Sequence, residues 1–255
     1  DRTSAYEKLL IAANYNFYVM RDLEKAAQFW DQWAKTYPRD PAAWLGLGIS
    51  TYWLGRYDQS LAAFLETLRL NPSATPYGWA AWDYMLLNRL PEARDIIQQA
   101  RDKRIELQAF QLSYLLDFLE KDSVGMAKQL ARPWTGQAAV KEDVQSATAA
   151  YSGHLSQARD WTRRAVATAV STQQKDLAAG FEVESALREA LFGNLGAARD
   201  AAKEARRLSA DVDVQGGAAL ALALAGDLAE AQKTAHDLSE QLPGVTVVRF
   251  IHLPA

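Results

Sequence analysis

The chain has 255 residues, 49% of them hydrophobic and 23% charged, with a formal net charge of −3, an ordinary balance for a globular chain. It has no basic excess to neutralise a phosphate backbone, which argues against nucleic acid as a partner. It has no cysteine, so disulfides, thiolate metal sites and cysteine nucleophiles are excluded together. No apolar run approaches the ~20 residues that cross a bilayer.

Taken in order, the first element-rich stretch is "RDLEKAAQFWDQWAKTYPRD", residues 21–40, a turn followed by an amphipathic helix. Residues 42–72, "AAWLGLGISTYWLGRYDQSLAAFLETLRLNP", hold two helices with apolar residues at the 3.6-residue period. Gly55 ends the first, Asp58 is expected to cap the second, and Pro72 stops it. The pair reads as an αα-hairpin.

The same wording then recurs: "NRLPEARDIIQQA" from Asn88, "KDSVGMAKQLA" from Lys121, "GHLSQARDWTRRA" from Gly153, "GNLGAARDAAKEA" from Gly193 and "GDLAEAQKTAHDL" from Gly226. A small residue marks the register at Ala26, Ser60, Ala93, Ala127, Ala158, Ala198 and Ala231, at intervals of 34, 33, 34, 31, 40 and 33. A mean near 34 residues is the tetratricopeptide period. Residues 41–72 resemble a tetratricopeptide repeat (TPR), with Trp44, Leu47-Gly48, Gly55, Tyr57, Phe64 and Pro72 in the motif's places, and Ser60 and Thr67 where the motif has Ala. The resemblance implies an all-α chain: a right-handed α-α superhelix of about seven hairpins plus the start of another, forming a single array over residues 1–255. The "RPWTGQAAVKED" stretch predicts an irregular joint near 132–143, between an aromatic N-terminal half and an alanine-rich C-terminal half. The opening "DRTSAYEKLL" and the apolar "GVTVVRFIHLPA" at the end suggest a portion cut from a longer protein.

Several stretches, among them "DLEKAAQFWDQWAKTYPRD", "LGLGISTYWLGRYDQSL", "AAYSGHLSQARDWTRRAV" and "GAALALALAGDLAEAQ", resemble the C-terminal TPR region of bacterial, chiefly acidobacterial, eukaryotic-like serine/threonine kinases. That resemblance covers residues from about 7 to 253 and implies an upstream kinase domain in a signalling protein, often with a membrane segment between. It favours an extracytoplasmic position in a membrane-anchored protein over a cytoplasmic one. Similar arrays also follow the DNA-binding region of transcriptional regulators. No kinase motif stands in this chain: there is no Gly-rich phosphate loop, no "HRD" and no "DFG".

Chemistry is sparse. His154, His236 and His252 lack the spacing of a metal-ligand set. Glu184 stands four residues before Arg188 and is expected to pair with it on a helix surface. Arg163-Arg164 and Arg206-Arg207 have acids nearby and read as solvated faces, while "GLG" at 46–48 lies within a helix and reads as packing. Neither a catalytic residue, a metal nor a cofactor is therefore expected.

In TPR arrays the first helix of each hairpin lines the concave surface. Carrying that register over gives a candidate groove of Tyr15, Tyr18, Ile49, Tyr52, Trp53, Trp82, Met85, Leu112 and Leu116, with Trp79 replacing Trp82 if the register slips by one residue. Such a strip either packs against neighbouring repeats or receives an apolar segment of a protein or peptide partner. Two other readings stay open: a small-ligand sensor enclosing a pocket lined by Tyr52, Trp53, Trp82 and Tyr84, and self-association through residues 246–253.

Overall fold

The computed structural model describes residues 4–105, 107, 110–242, 244–246 and 248. All regular structure among them is helical, arranged as antiparallel hairpins in two compact units, residues 1–131 and 132–255. The first unit holds four hairpins: α1 (Ala5–Asn14), prolonged by a π-helical turn (Tyr15–Val19), with α2 (Leu23–Thr36); α3 (Pro41–Trp53) with α4 (Tyr57–Leu70); α5 (Ala74–Leu86) with α6 (Leu90–Asp102); and α7 (Phe110–Leu119) with α8 (Ser123–Ala131). The second holds three: α9 (Ala138–Tyr151) with α10 (Leu155–Ser171), α11 (Lys175–Leu191) with α12 (Leu195–Leu208), and α13 (Val212–Leu224) with α14 (Leu228–Gln241).

Local chemistry sets the boundaries. Ser4 and Glu7 form a reciprocal capping box at α1, Asp22 and Asp40 cap α2 and α3, and Pro41 takes the first helical position of α3, where its missing N–H costs nothing. Asp58 does not cap α4. The helix begins at Tyr57 with Arg56 in the cap position, and Asp58 lies in the first turn, facing the positive end of the helix dipole.

Every hairpin turns on one left-handed residue: Arg21, Gly55, Asn88, Lys121, Gly153, Gly193 and Gly226, with φ between +50° and +80°. The next N–H then reaches back five residues, as in Arg56 to the Thr51 carbonyl (2.9 Å), Asp122 to Asp117 (2.8 Å) and Asn194 to Glu189 (2.8 Å). This satisfies a carbonyl that the helix end leaves orphaned. The turn fixes the register, and it corrects one assignment. Counting from Lys121 puts Met126, half-buried, at the packing position expected for Ala127, which is exposed.

Packing differs between the units. In the first, indoles and phenyls fill the interior: Trp30 stacks on Trp33 at 5.1 Å, and Phe64 and Tyr77 are fully buried. Glycines make room for them. A Cβ on Gly46 would stand 2.3 Å from the Trp30 ring, and one on Gly48 would stand 2.6 Å from Phe64, so "GLG" is a packing device as the sequence suggested. In the second unit Ala165, Ala178, Ala186, Ala202, Ala205 and Ala218 are all fully buried, and the helices approach closely because little side chain lies between them.

Arginines six residues past the turn tie successive hairpins together. Arg94 of α6 binds Asp117 of α7 at 2.8 Å and also Glu120. Arg159 of α10 makes two bonds to Glu189 of α11, at 2.7 and 2.6 Å, and Arg199 of α12 donates to the Ala225 carbonyl at 3.2 Å. Each guanidinium crosses from a second helix to the end of the next first helix.

Candidate interaction surface

The residue two places before each left-handed turn is the last or nearly last of its helix, and in all seven hairpins it is a large hydrophobic side chain left in solvent. The series is Val19, Trp53, Leu86 and Leu119 in the first unit, and Tyr151, Leu191 and Leu224 in the second. Their exposure runs from 44% at Leu119 to 82% at Tyr151. Scattered exposed leucines need no explanation, but a repeated position does. Packing cannot account for this ladder, since none of these side chains is buried.

The groove residues expected from sequence divide into three groups. Tyr15 and Tyr18 stand exposed on the π-helical turn, beside Ile11, and Trp53 is exposed at its place in the ladder. Ile49, Tyr52, Trp82 and Met85 are half-buried where α3 and α5 meet. Trp79, the alternative to Trp82, is also half-buried; it stacks on Phe64 at 6.0 Å and meets the Tyr52 ring edge-on at 4.7 Å. Leu112 and Leu116 do not belong to a groove. They are 1% and 0% exposed and pack in one core cluster with Tyr77, Ala80 and Ile97. Helix α7 turns these two leucines inward, and at its end it presents Leu119 instead.

Sequence reasoning placed one ladder member, Trp53, in the groove and missed six. The signal was available: the same offset from Gly55, Gly153, Gly193 and Gly226 finds four of the seven. Arg21, Asn88 and Lys121 hide the others, because non-glycine residues in the left-handed region do not announce themselves.

Tyr52 touches Trp53 (5.5 Å), Tyr57 (5.7 Å) and Trp79 (4.7 Å). These rings fill the space around Tyr52 with one another. Tyr84 carries Arg89 over its ring at 4.8 Å. A separate cleft of about 500 Å³ lies between α2 and α4 above α3, floored by Ala27, Trp44, Leu47 and Ala63 and walled in part by Glu24 and Arg56, which pair with each other.

The second unit has an electrostatic wall of its own. Burial pushes the Asp143 carboxyl of α9 up to about 7; the Glu184 carboxylate of α11 adds to the rise, and Arg188 opposes it. Glu184 is raised by its surroundings against the pull of Arg188. The Glu184 side chain nonetheless reaches solvent. The surface pair expected between Glu184 and Arg188 does not form. Arg188 donates to the Thr162 hydroxyl at 2.8 Å and leaves its Nε buried without a partner, and it is Glu189 that takes an arginine, Arg159.

The paired arginines, read from sequence as solvated faces, each have a local partner. Arg163 binds Asp160, Arg164 lies 4.8 Å over the Trp161 ring, Arg206 binds Glu230 and Arg207 binds Glu204. His154 occupies the exposed cap position of α10, His236 lies in α14, and His252 is outside the described residues. Among the described residues no group of three or more His, Asp or Glu could hold a metal ion, and no helix is long and apolar enough to cross a membrane. Of segment 246–253, Thr246 and Val248 are described and both are buried, Val248 in a cluster with Val212, Leu238 and Val245.

The geometry defines the class: an array of tetratricopeptide-type helical hairpins. The sequence matches no protein-family model and no curated protein. Among solved structures, the chain is similar over 86% of its length to the hetero-tetramer of Cut9 and Hcn1 from APC/C, at 16% identity and a TM-score of 0.49, spanning 46% of that chain. It is similar over 96% to PilW, a type IV pilus biogenesis factor (18%, TM-score 0.43, 99% of that chain), and over 97% to yeast Tom70 (14%, TM-score 0.41, 64% of that chain).

Proposed function

We propose that this chain is a non-catalytic scaffold that binds a protein or peptide partner through the exposed ends of its first helices. The observation that carries this reading is the hydrophobic ladder, seven large apolar side chains held in solvent at one register position. In the first unit the ladder adjoins Tyr15, Tyr18 and the half-buried Ile49, Tyr52, Trp82 and Met85, which together supply rigid aromatic area suited to binding hot spots. No Lys or Arg stands among these named ladder and groove residues, so the surface suits an uncharged, apolar polypeptide segment, since a charge desolvated there would go uncompensated. The wording of the repeats supports a place within a larger bacterial signalling protein of the serine/threonine kinase type.

The test is affinity capture from an extract of the cells that make the protein. Wild type is compared with a Trp53→Ser/Leu86→Ser/Leu119→Ser variant whose helicity by circular dichroism is unchanged, as expected for exposed positions. A polypeptide retained by wild type and weakened at least about tenfold by the variant supports the reading; hot-spot truncations of this kind cost about 2 kcal/mol or more each. Equal capture by both proteins would contradict it.

A further inference from the structure

The arginine ties between hairpins run from the sixth residue past one left-handed turn to an acid four residues before the next, as in Arg94 to Asp117 and Arg159 to Glu189. The seam between the second and third hairpins has neither partner. Leu61 stands at the arginine's position and Tyr84 at the acid's. An acid is nonetheless present one residue earlier in α5. Asp83 is 0% exposed, and neither of its carboxyl oxygens has a hydrogen-bond partner.

The neighbourhood favours one protonation state on geometry alone. The Ser60 hydroxyl of α4 lies beside Asp83 but spends its single hydrogen on the Gly48 carbonyl of α3, at 3.0 Å. Toward Asp83 it can only accept, and only a protonated carboxyl has a hydrogen to give. The ionisable groups around the seam supply no cation. From α3 comes Tyr52, and from α4 come Tyr57 and Asp58. On α6, Arg89 is held by Glu92, and Arg94 by Asp117 and Glu120 of α7. Burial pushes the Asp83 carboxyl up to about 7 and the Asp58 charge adds to the rise; a Ser60 hydrogen turned toward Asp83 would oppose it, but that hydrogen is engaged by the Gly48 carbonyl.

We propose that Asp83 is a proton-operated latch: neutral, it closes the seam between α4 and α5; ionised, it draws water into that seam and loosens the two hairpins that carry Trp53 and Leu86. The folded chain holds this proton more tightly than the unfolded chain does. The latch's stabilisation is therefore complete below the ordinary aspartate range and is lost as pH rises from about 4 through about 7. The device is independent of which partner the ladder binds, and it is tested without one.

Two measurements on the full chain decide it. The first follows the Asp83 side-chain carboxyl carbon by NMR from about pH 4 to about pH 9; a midpoint well above the ordinary aspartate value of about 4 is expected. The second compares hydrogen-exchange protection of the α4 and α5 amides at about pH 5 and about pH 8, after correction for intrinsic rates. Protection in wild type should fall roughly tenfold or more beyond any fall in Asp83→Asn. A midpoint below about pH 5 overturns the proposal, as does an equal loss of protection in a folded Asp83→Asn. The wild-type titration decides alone if the variant does not fold.

Discussion

At the scale of single residues, glycine does two opposite things in this chain, and the distinction is measurable. Gly48 sits where a methyl group would meet the Phe64 ring at 2.6 Å, while Gly78, also inside a helix, has nothing within 4 Å of the same construction. Gly48→Ala should destabilise the first unit by about 1–3 kcal/mol through overpacking. Gly78→Ala should stabilise it by up to about 1 kcal/mol, the helix-propensity gain with no clash to offset it. Urea midpoints of the two variants check both signs. Gly48 could be read from sequence because it falls in a recognisable repeat position. Leu112 and Leu116 could not, because position in a repeat says which helix face a residue occupies, and burial depends on what packs against that face.

At the scale of elements, stability rests on the seams. No hairpin covers its own apolar face, so each relies on its neighbours. The tie from Arg159 to Glu189 joins a partly exposed guanidinium, 40% open, to a carboxylate only 3% exposed. Arg159→Ala would leave Glu189 buried without its cation and should cost about 1–3 kcal/mol, below the full penalty for a wholly buried pair because solvent already screens the arginine side. The same change should abolish the downward shift that Arg159 imposes on Glu189, so the loss should be larger at neutral pH than in acid. Denaturant melts at two pH values measure this. These ties escaped a reading of the sequence. "EARD", "QARD" and "AARD" mark a register, but the acids met by the first two arginines lie 23 and 30 residues away and the third meets a backbone carbonyl, so local wording does not reveal the ties.

At the scale of the whole molecule, the period, the all-helical architecture and the contrast between an aromatic and an alanine-rich half were legible because every hairpin repeats the same turn and the same small-residue contact. The interaction surface was legible only where a tryptophan drew attention to it. The two units should also respond to pH in the same direction. In the second, Asp143 is raised to about 7 and Glu184 is raised with it, so the contribution of this pair is complete only below the ordinary carboxylate range and is lost as pH rises from about 4 through about 7. Asp143→Asn should flatten that dependence in the second unit and leave α4 and α5 unaffected, which hydrogen exchange resolved by helix would show.

The central claim is that polypeptide binds along the exposed ends of the first helices. The measurement that tests it most directly places a photo-crosslinking phenylalanine analogue at position 53, at position 86 and, as a control, at Ala62 in α4, an exposed residue that lines the cleft between α2 and α4 and is no member of the ladder. After irradiation in a cell extract, mass spectrometry identifies what each position has captured. The account predicts one polypeptide joined at positions 53 and 86, absent at position 62, and lost from position 86 when Trp53 is replaced by serine. The same products from all three positions, or none from the ladder, would contradict it.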